Sequence, residues 1–382
     1  MTITANAPAR RGAHAATPRP THLRARFASD ASDAFFADVR RRVALHLRQT
    51  GHGRYDDGRI ALKGAVYGTI TLGAYLVALW GGLPPWGSFA AGLVFGLGCL
   101  MLGLNVGHDG AHNCLTRHRW LNLTLQTVIF TLIGADAYLW RLRHVKSHHV
   151  FPNVNDCDID IDDYWWIRLS PNQPHLPHHR FQHLYAPLIF WLTNIHTTFY
   201  QDAVYLFKRD LANMRDIRHP WYAYPLFIAS KVGYFAIWLG IPMAVLPYPW
   251  WWIALAWPAI SFVMSVAFIA LLIGTHFAEE TVFPVVDESG VIPLGWAWHA
   301  LATSLDWNPE SRLANAIAGG ANAHAAHHLF PNVAHVHYPE ITRIIREEAA
   351  RHSMPYNVTS FAGMLRSHYR FLRRLGQGST AG

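Results

Sequence analysis

Eight histidines stand in three clusters: His108-x-x-x-His112, His144-x-x-x-His148-His149 and His324-x-x-His327-His328. Neutral imidazole is a good ligand for iron, zinc and copper. Each cluster lies beside an apolar stretch long enough to cross a bilayer, so the chemistry suggested is a metal centre built over lipid. From 25 histidines in 382 residues, chance supplies an H-x-x-x-H pair about 1.6 times, but a given three-histidine pattern only about 0.1 times. The second and third clusters therefore carry the weight. His175-x-x-His178-His179 has the same spacing, but Pro177 inside it cannot continue a helix, and it ranks below the others.

On a helix, positions i, i+3 and i+4 share a face. His108 with His112, His144 with His148, and His324 with His327 and His328 then form chelating pairs. His148 and His149 point about 100° apart, which suits two metals rather than one. Eight imidazoles exceed what one ion takes, so a two-metal site is the economical reading. Carboxylate-bridged di-iron proteins use Glu-x-x-His, which is absent here, as is His-Glu-x-x-His. Zinc with this many ligands would keep no open position. Imidazole-rich iron that activates O2 beside a lipid chain fits better.

Long apolar helices must position these groups. Between Lys63 and Asp109 there is no Asp, Glu, Lys or Arg, and the run breaks once, at Gly81-Gly82-Leu83-Pro84-Pro85-Trp86-Gly87. At about 1.5 Å per residue each half can cross about 30 Å of hydrocarbon. The expectation is a hairpin of spans near 64–82 and 87–107. A second, near 222–246 and 250–275, turns at Leu246-Pro247-Tyr248-Pro249-Trp250. The expected fold class is thus all-α and integral to the membrane, with four spans, interfacial helices at Leu121–Ala135 and Leu184–Phe199, and a histidine-rich cap. Neither tight turn carries charge, which places the boxes and both termini on the cytosolic side. Residues 1–30 are expected to be disordered rather than a signal peptide, with a transit peptide as a minor alternative. Residues 31–360 form the membrane domain and 361–382 a tail.

Composition agrees. Hydrophobic residues make up 51% of the chain and charged residues only 15%, below the quarter usual for soluble proteins. The sixteen tryptophans suit lipid–water interfaces. The net charge of +8 reads as the positive-inside rule, with no basic stripe for nucleic acid. Cys99, Cys114 and Cys157, without a C-x-x-C, argue against a disulfide framework and against a cysteine zinc site.

The chain resembles the membrane fatty-acid desaturase family, in the bacterial branch similar to linoleoyl-CoA and front-end desaturases. The resemblance rests on His108-Asp-Gly-Ala-His112, Trp140-Arg-Leu-Arg-His144-Val-Lys-Ser-His148-His149, Asp158-Ile-Asp160 and His179-Arg-Phe-Gln-His183. It rests also on His324-Ala-Ala-His327-His328-Leu-Phe-Pro331-Asn332 and His335-Val-His337-Tyr-Pro339, and runs in order from about Phe35 to Asn357. It implies two non-haem irons, O2 and two external electrons, with hydrogen removed from two neighbouring CH2 groups of an acyl chain in a buried apolar tunnel. It adds His276, at the end of the fourth span, as a ninth metal ligand beside His108, His112, His144, His148, His149, His324, His327 and His328. Two departures stand out. The third box of this branch often begins with Gln, where this chain has His324. Some relatives carry an Asn one turn before the fourth-span histidine, where this chain has Leu272.

The expected substrate is an acyl-CoA or acyl-lipid. The electron donor is expected to be separate, a ferredoxin or cytochrome b5, since no His-Pro-Gly-Gly haem motif occurs. The expected location is a bacterial inner membrane. A hydroxylase or acetylenase on the same scaffold is the alternative enzyme. A metal-binding transporter is the other class; it would put ionisable residues inside the spans, where none beyond His276 is expected. His179 and His183 are read as interfacial polar residues, and His335 and His337 as a solvated loop rather than contacts to a carrier phosphate. Asp109 and the Asp156–Asp163 cluster are candidate acceptors for ligating imidazoles, against a plain polar surface. Arg141, Arg143 and Lys146 either meet carrier phosphates or cover the cytosolic face. Trp140, Trp165 and Trp166 are read as interface anchors.

Overall fold

The computed structural model describes residues 25–51, 53–161 and 165–378. The segment expected to be disordered lies almost wholly outside these residues, as do Asp162 and Asp163.

Four helices are long and apolar enough to cross a membrane: Arg59–Trp80, Pro85–Ala111, Ala223–Val245 and Trp250–Thr275. Their bounds fall close to those expected from charge and turn residues. The first starts where the Asp56 carboxylate accepts the amides of Ile60 and Ala61 at 2.8 and 2.9 Å, a helix-start cap. The second starts at Pro85, whose ring suits a first helical position. The two charge-free turns meet at one end of the bundle, where the Tyr248 hydroxyl donates to the Leu83 carbonyl and lies 3.1 Å from Ser88 Oγ. At that end a small, partly open apolar pocket lies among Phe89, Gly92, Trp238, Tyr248 and Trp257. Gly92 stands sixteen residues, or about 24 Å of helix, from His108.

The segment read as an interfacial helix at Leu121–Ala135 is a helix over Arg119–Leu132. It then bends by 102° into Ala137–His148, which carries the second box. The bend frees backbone groups that must find other partners. Three consecutive carbonyls find them in distant side chains: Trp238 Nε1 donates to Leu132 O (2.8 Å), Asn194 Nδ2 to Ile133 O (2.7 Å) and Lys231 Nζ to Gly134 O (2.6 Å). Lys231 also pairs with Asp202 at 2.7 Å, and Asp202 accepts the Asp136 amide at 2.7 Å. Asp136 in turn caps the second-box helix through the Leu139 amide. Leu184–Phe199 breaks into short pieces, Gln182–Phe190 and Thr193–His196, followed by a π-helical segment, Thr197–Gln201.

Lys231 corrects the expectation that the spans hold no ionisable residue beyond His276. It lies inside the third, and it is tolerated because an acid and a carbonyl surround its ammonium. Lys63 and Asp109, inside the first two helices as folded, are likewise partnered.

The rest is a cap at the box end. The N-terminal helix Ser32–Gln49 packs Phe35, Val39 and Val43 against Leu301, Ala326, Leu329, Ile341 and Ile345. The third-box helix His324–Leu329 thus gives its alanine and leucine face to this core and its histidine face to the site. Residues Phe361–Gly376 form an amphipathic helix that buries Met364, Phe371 and Leu372. Two short parallel strand pairs, Arg26–Phe27 with Val291–Ile292 and Leu305–Trp307 with Asn357–Thr359, tie distant segments together.

Replacing Lys231 by Met leaves the Asp202 carboxylate buried without its cation, a change that costs about 3–5 kcal/mol where a buried pair is broken. The expected outcome is a clear fall in the thermal midpoint of the purified protein, largely recovered in Lys231→Met/Asp202→Asn. Equal falls in the single and double variants would refute the pairing argument.

Candidate metal centre

All nine histidines singled out by the sequence and the resemblance converge at the box end of the helices. They sort into two quartets, each offering one nitrogen per ring, all within 4.8 Å of one another. One quartet is His108, His112, His144 and His327; the other, fully buried, is His148, His276, His324 and His328. His149 stands between them. Its Nε2 is 3.0 Å from His144 Nε2, and its ring lies 4.4 Å from that of His327 and 4.5 Å from that of His328.

This sorting corrects two of the expected chelating pairs. His108 with His112 and His324 with His328 hold, but His144 parts from His148 and His327 from His324. The cause at the second box is local. Residues His144–His148 form a π-helical turn, and the His149 amide donates to the His144 carbonyl at 3.0 Å, five residues back. His149 therefore closes the turn on His144, with rings 4.5 Å apart, against 5.6 Å for His144 and His148. Another π-helical segment, Gly103–Gly107, precedes His108. There Gly319, in the left-handed region at φ +59, lets the chain approach the carbonyl of Leu104; a Cβ would stand 2.1 Å from that oxygen.

The second quartet fits a cation on electrostatic grounds. His276 Nδ1 donates to Thr303 O at 2.8 Å, and His324 Nδ1 donates to Ala321 O at 3.2 Å. Burial holds both rings neutral: the His324 imidazole is pushed down to about 3, and that of His276 well below the ordinary histidine range. A neutral ring that carries its proton on Nδ1 has a bare Nε2. Those two bare nitrogens lie 2.7 Å apart, and His328 Nε2 stands 3.0 and 3.2 Å from them. Lone pairs so placed repel unless a positive ion sits between them. Nitrogens about 2.1 Å from a shared ion at right angles stand about 3.0 Å apart, so the spacing suits a first-row metal. In the first quartet His108 Nε2 faces His144 Nε2 at 3.2 Å, and His112 Nε2 is buried with no hydrogen-bond partner. Burial, with the neighbouring imidazoles, also holds His112, His149, His327 and His328 well below the ordinary range. Neutral rings are what a metal requires.

An outer layer fixes these rings, and sequence reasoning located it only in part. Asp158 accepts from His148 Nδ1 at 3.2 Å, and Asp160 lies 3.5 Å from the same nitrogen. Asn153, left-handed at φ 62, gives its amide N–H to Asp158 and its side-chain NH2 to the carbonyls of His276 and Val282. His335 and His337 are buried, contrary to the solvated loop expected. His335 Nδ1 bonds Asp109 at 3.0 Å, and its Nε2 lies 2.6 Å from Lys63 Nζ, which also reaches Asn105 at 2.7 Å. His337 Nε2 bonds the Tyr55 carbonyl. Trp140, read as an interface anchor, packs its ring 4.2 Å from that of His144 and 4.9 Å from that of Phe130. The sequence signal for this layer was present in Asp158-x-Asp160 and His335-x-His337. Nothing in it marked Lys63 or Asn153.

The remaining candidates stand elsewhere. His178 and His179 both bond the Trp165 carbonyl, and His175 bonds that of Gly376. His183 packs against Tyr369. Arg143 bonds Gln201, Arg141 is half-buried, and Lys146 is exposed, as are Trp165 and Trp166. The three cysteines are buried free thiols. Leu272 packs its side chain among apolar neighbours, and its carbonyl accepts from the Thr275 hydroxyl at 2.7 Å.

Apolar spanning helices that end in buried imidazole quartets define an integral membrane protein of the histidine-box type. Comparison with known proteins narrows the class. The model of the family described as "Fatty acid desaturase" matches residues 84–360. A sn-1 linoleoyl-lipid 6-desaturase from Arthrospira platensis is 27% identical over 348 residues, covering 90% of this chain and 93% of that protein. One from Synechocystis sp. is 30% identical over 297 residues, 74% of this chain and 81% of that protein. An acyl-lipid (8-3)-desaturase from Physcomitrium patens is 26% identical, with coverage of 92% and 73%. The chain belongs to the fatty acid desaturase family and is a fatty acyl desaturase, an oxidoreductase of lipid metabolism.

The depressed imidazoles set a pH dependence for the metal-free protein. Unfolded histidines take up protons near pH 6.5, whereas His112, His149, His276, His324, His327 and His328 do so only well below it; His148, beside Asp158, is shifted the other way. Stability is therefore complete above about pH 6.5 and falls as the pH drops below that value. Thermal unfolding of chelator-stripped protein between pH 7.5 and 5 is expected to show a falling midpoint, and a flat profile would contradict it.

Proposed function

We propose that the protein is an acyl-lipid desaturase with a two-iron centre on the cytosolic side of a bacterial inner membrane. His108, His112, His144 and His327, with His149, hold one iron; His148, His276, His324 and His328 hold the other. The observation that carries this reading is the pair of bare nitrogens on His276 and His324, 2.7 Å apart. Iron in such a centre, with O2 and two electrons from outside, supplies the oxidising power to remove hydrogen from two neighbouring CH2 groups.

The chain's own residues do the rest. Asp158 and the carbonyls of Thr303 and Ala321 fix which nitrogen each imidazole presents. The buried second quartet excludes bulk water. The four apolar helices hold the acyl chain within reach of the box end. Acyl-lipid is favoured over acyl-CoA because the relatives described above are named for lipid-linked substrates. A cytosolic site fits the uncharged turns at the opposite end and the Lys and Arg of the cap. It lets a small electron carrier, ferredoxin or cytochrome b5, supply reductant.

Expression in a host with simple lipids, followed by fatty-acid profiling, tests the proposal. The wild type is expected to yield acyl chains lacking two hydrogens, and purified protein to carry about two irons. His148→Ala and His327→Ala are expected to abolish the product. Full activity in either variant, or no new unsaturation with the wild type, would sink the reading.

A further inference from the structure

The two quartets are not equivalent in what stands behind their rings. In the second quartet three of four outer nitrogens are held: His148 Nδ1 by the Asp158 carboxylate at 3.2 Å, His276 Nδ1 by Thr303 O at 2.8 Å and His324 Nδ1 by Ala321 O at 3.2 Å. In the first, the one outer contact within bonding distance among the described residues is the Tyr338 hydroxyl, 3.4 Å from His327 Nδ1. An acid does lie beside this quartet, but one of its oxygens is committed elsewhere. Asp109 Oδ2 accepts both the backbone amide and Nδ1 of His335 at 3.0 Å, while Oδ1 faces His108 Nδ1 at 3.8 Å, beyond a hydrogen bond. Lys63, on the far side of His335, adds a cation that holds this arrangement. The first quartet is also less buried, with His108 and His144 both in part exposed.

Outer partners fix the tautomer, stop the ring turning, and, where anionic, raise ligand basicity; losing one typically costs about 10–100-fold in metal affinity. The first quartet has one compensation, a fifth imidazole from His149, whose buried Nδ1 has no hydrogen-bond partner to orient it. One unanchored donor does not match three anchored ones.

We infer that the two metal positions fill in order, the His148–His276–His324–His328 position first and tightly, the His108–His112–His144–His327 position second and reversibly, with Asp158 as the residue that separates them. This rests on the two-metal reading above. Asp158 is a positioning residue that acts through His148. The His335–Asp109–Lys63 cluster engages Asp109 Oδ2 and leaves Oδ1 3.8 Å from His108 Nδ1, so the other position lacks the hydrogen-bonded carboxylate that Asp158 provides.

The test is an anaerobic titration of the purified, metal-stripped full chain in detergent with Co(II), read by calorimetry and by the cobalt absorption bands. Two resolved phases of one ion each, at least tenfold apart in Kd, are expected. Asp158→Asn, which removes charge but little volume, is expected to weaken the tight phase at least tenfold and to move the weak phase less than threefold. His112→Gln should abolish the weak phase and keep the tight one, and His148→Gln should do the reverse. These two report on the ordering should Asp158→Asn prove too unstable to purify. A single phase for two ions, equal weakening of both phases in Asp158→Asn, or retention of the tight phase in His148→Gln overturns the ordering while leaving a two-metal centre intact. Absence of any bound cobalt in the wild type overturns the metal centre itself, and the ordering with it.

Discussion

Bare imidazole nitrogens that face one another across less than a van der Waals separation are the constraint around which this protein is built. On His276 and His324 the nitrogen is bare because a carbonyl behind the ring takes the only proton a neutral imidazole has. Both rings are neutral because burial makes the charged form costly. Together these choices store repulsion that a cation relieves. The partners that create it come from Thr303 and Ala321, at separate points along the chain, so the whole cap must be folded for the quartets to exist.

Much of this was legible in one dimension. The four apolar helices follow from runs without charge, and their ends from proline-containing turns. The histidine face of His324–Leu329 follows from 3.6-residue spacing, since Ala325, Ala326 and Leu329 had to go the other way. What failed was the pairing of His144 with His148, because spacing rules assume an α-helix and the second box is wound as a π-helix. Equally hidden were the contacts of Lys63 with His335, 272 residues away, and of Asp109 with the same ring, 226 residues away. A lysine at the mouth of an apolar run looks like its solvated boundary until its partner is known.

Lys231 teaches the same lesson from inside the bundle. Read as sequence it interrupts an apolar helix. In the fold it meets the freed carbonyl of Gly134 and the Asp202 carboxylate, beside carbonyls taken by Trp238 and Asn194. The bend they stabilise turns the second-box helix towards the other two boxes. A polar group deep in the helices thus serves the geometry of a site at their ends, which is a common reason for the expense of burying charge.

The extra residue wound into the second box has an evolutionary corollary. A π-helical turn is an α-helical turn with one residue inserted. Deleting a residue between His144 and His148 would restore the ordinary ladder and still leave a ring on each side of the helix. Histidine boxes of unequal spacing can therefore arise from one another by single insertions and deletions, each absorbed by the winding of one turn, without rebuilding the centre they serve.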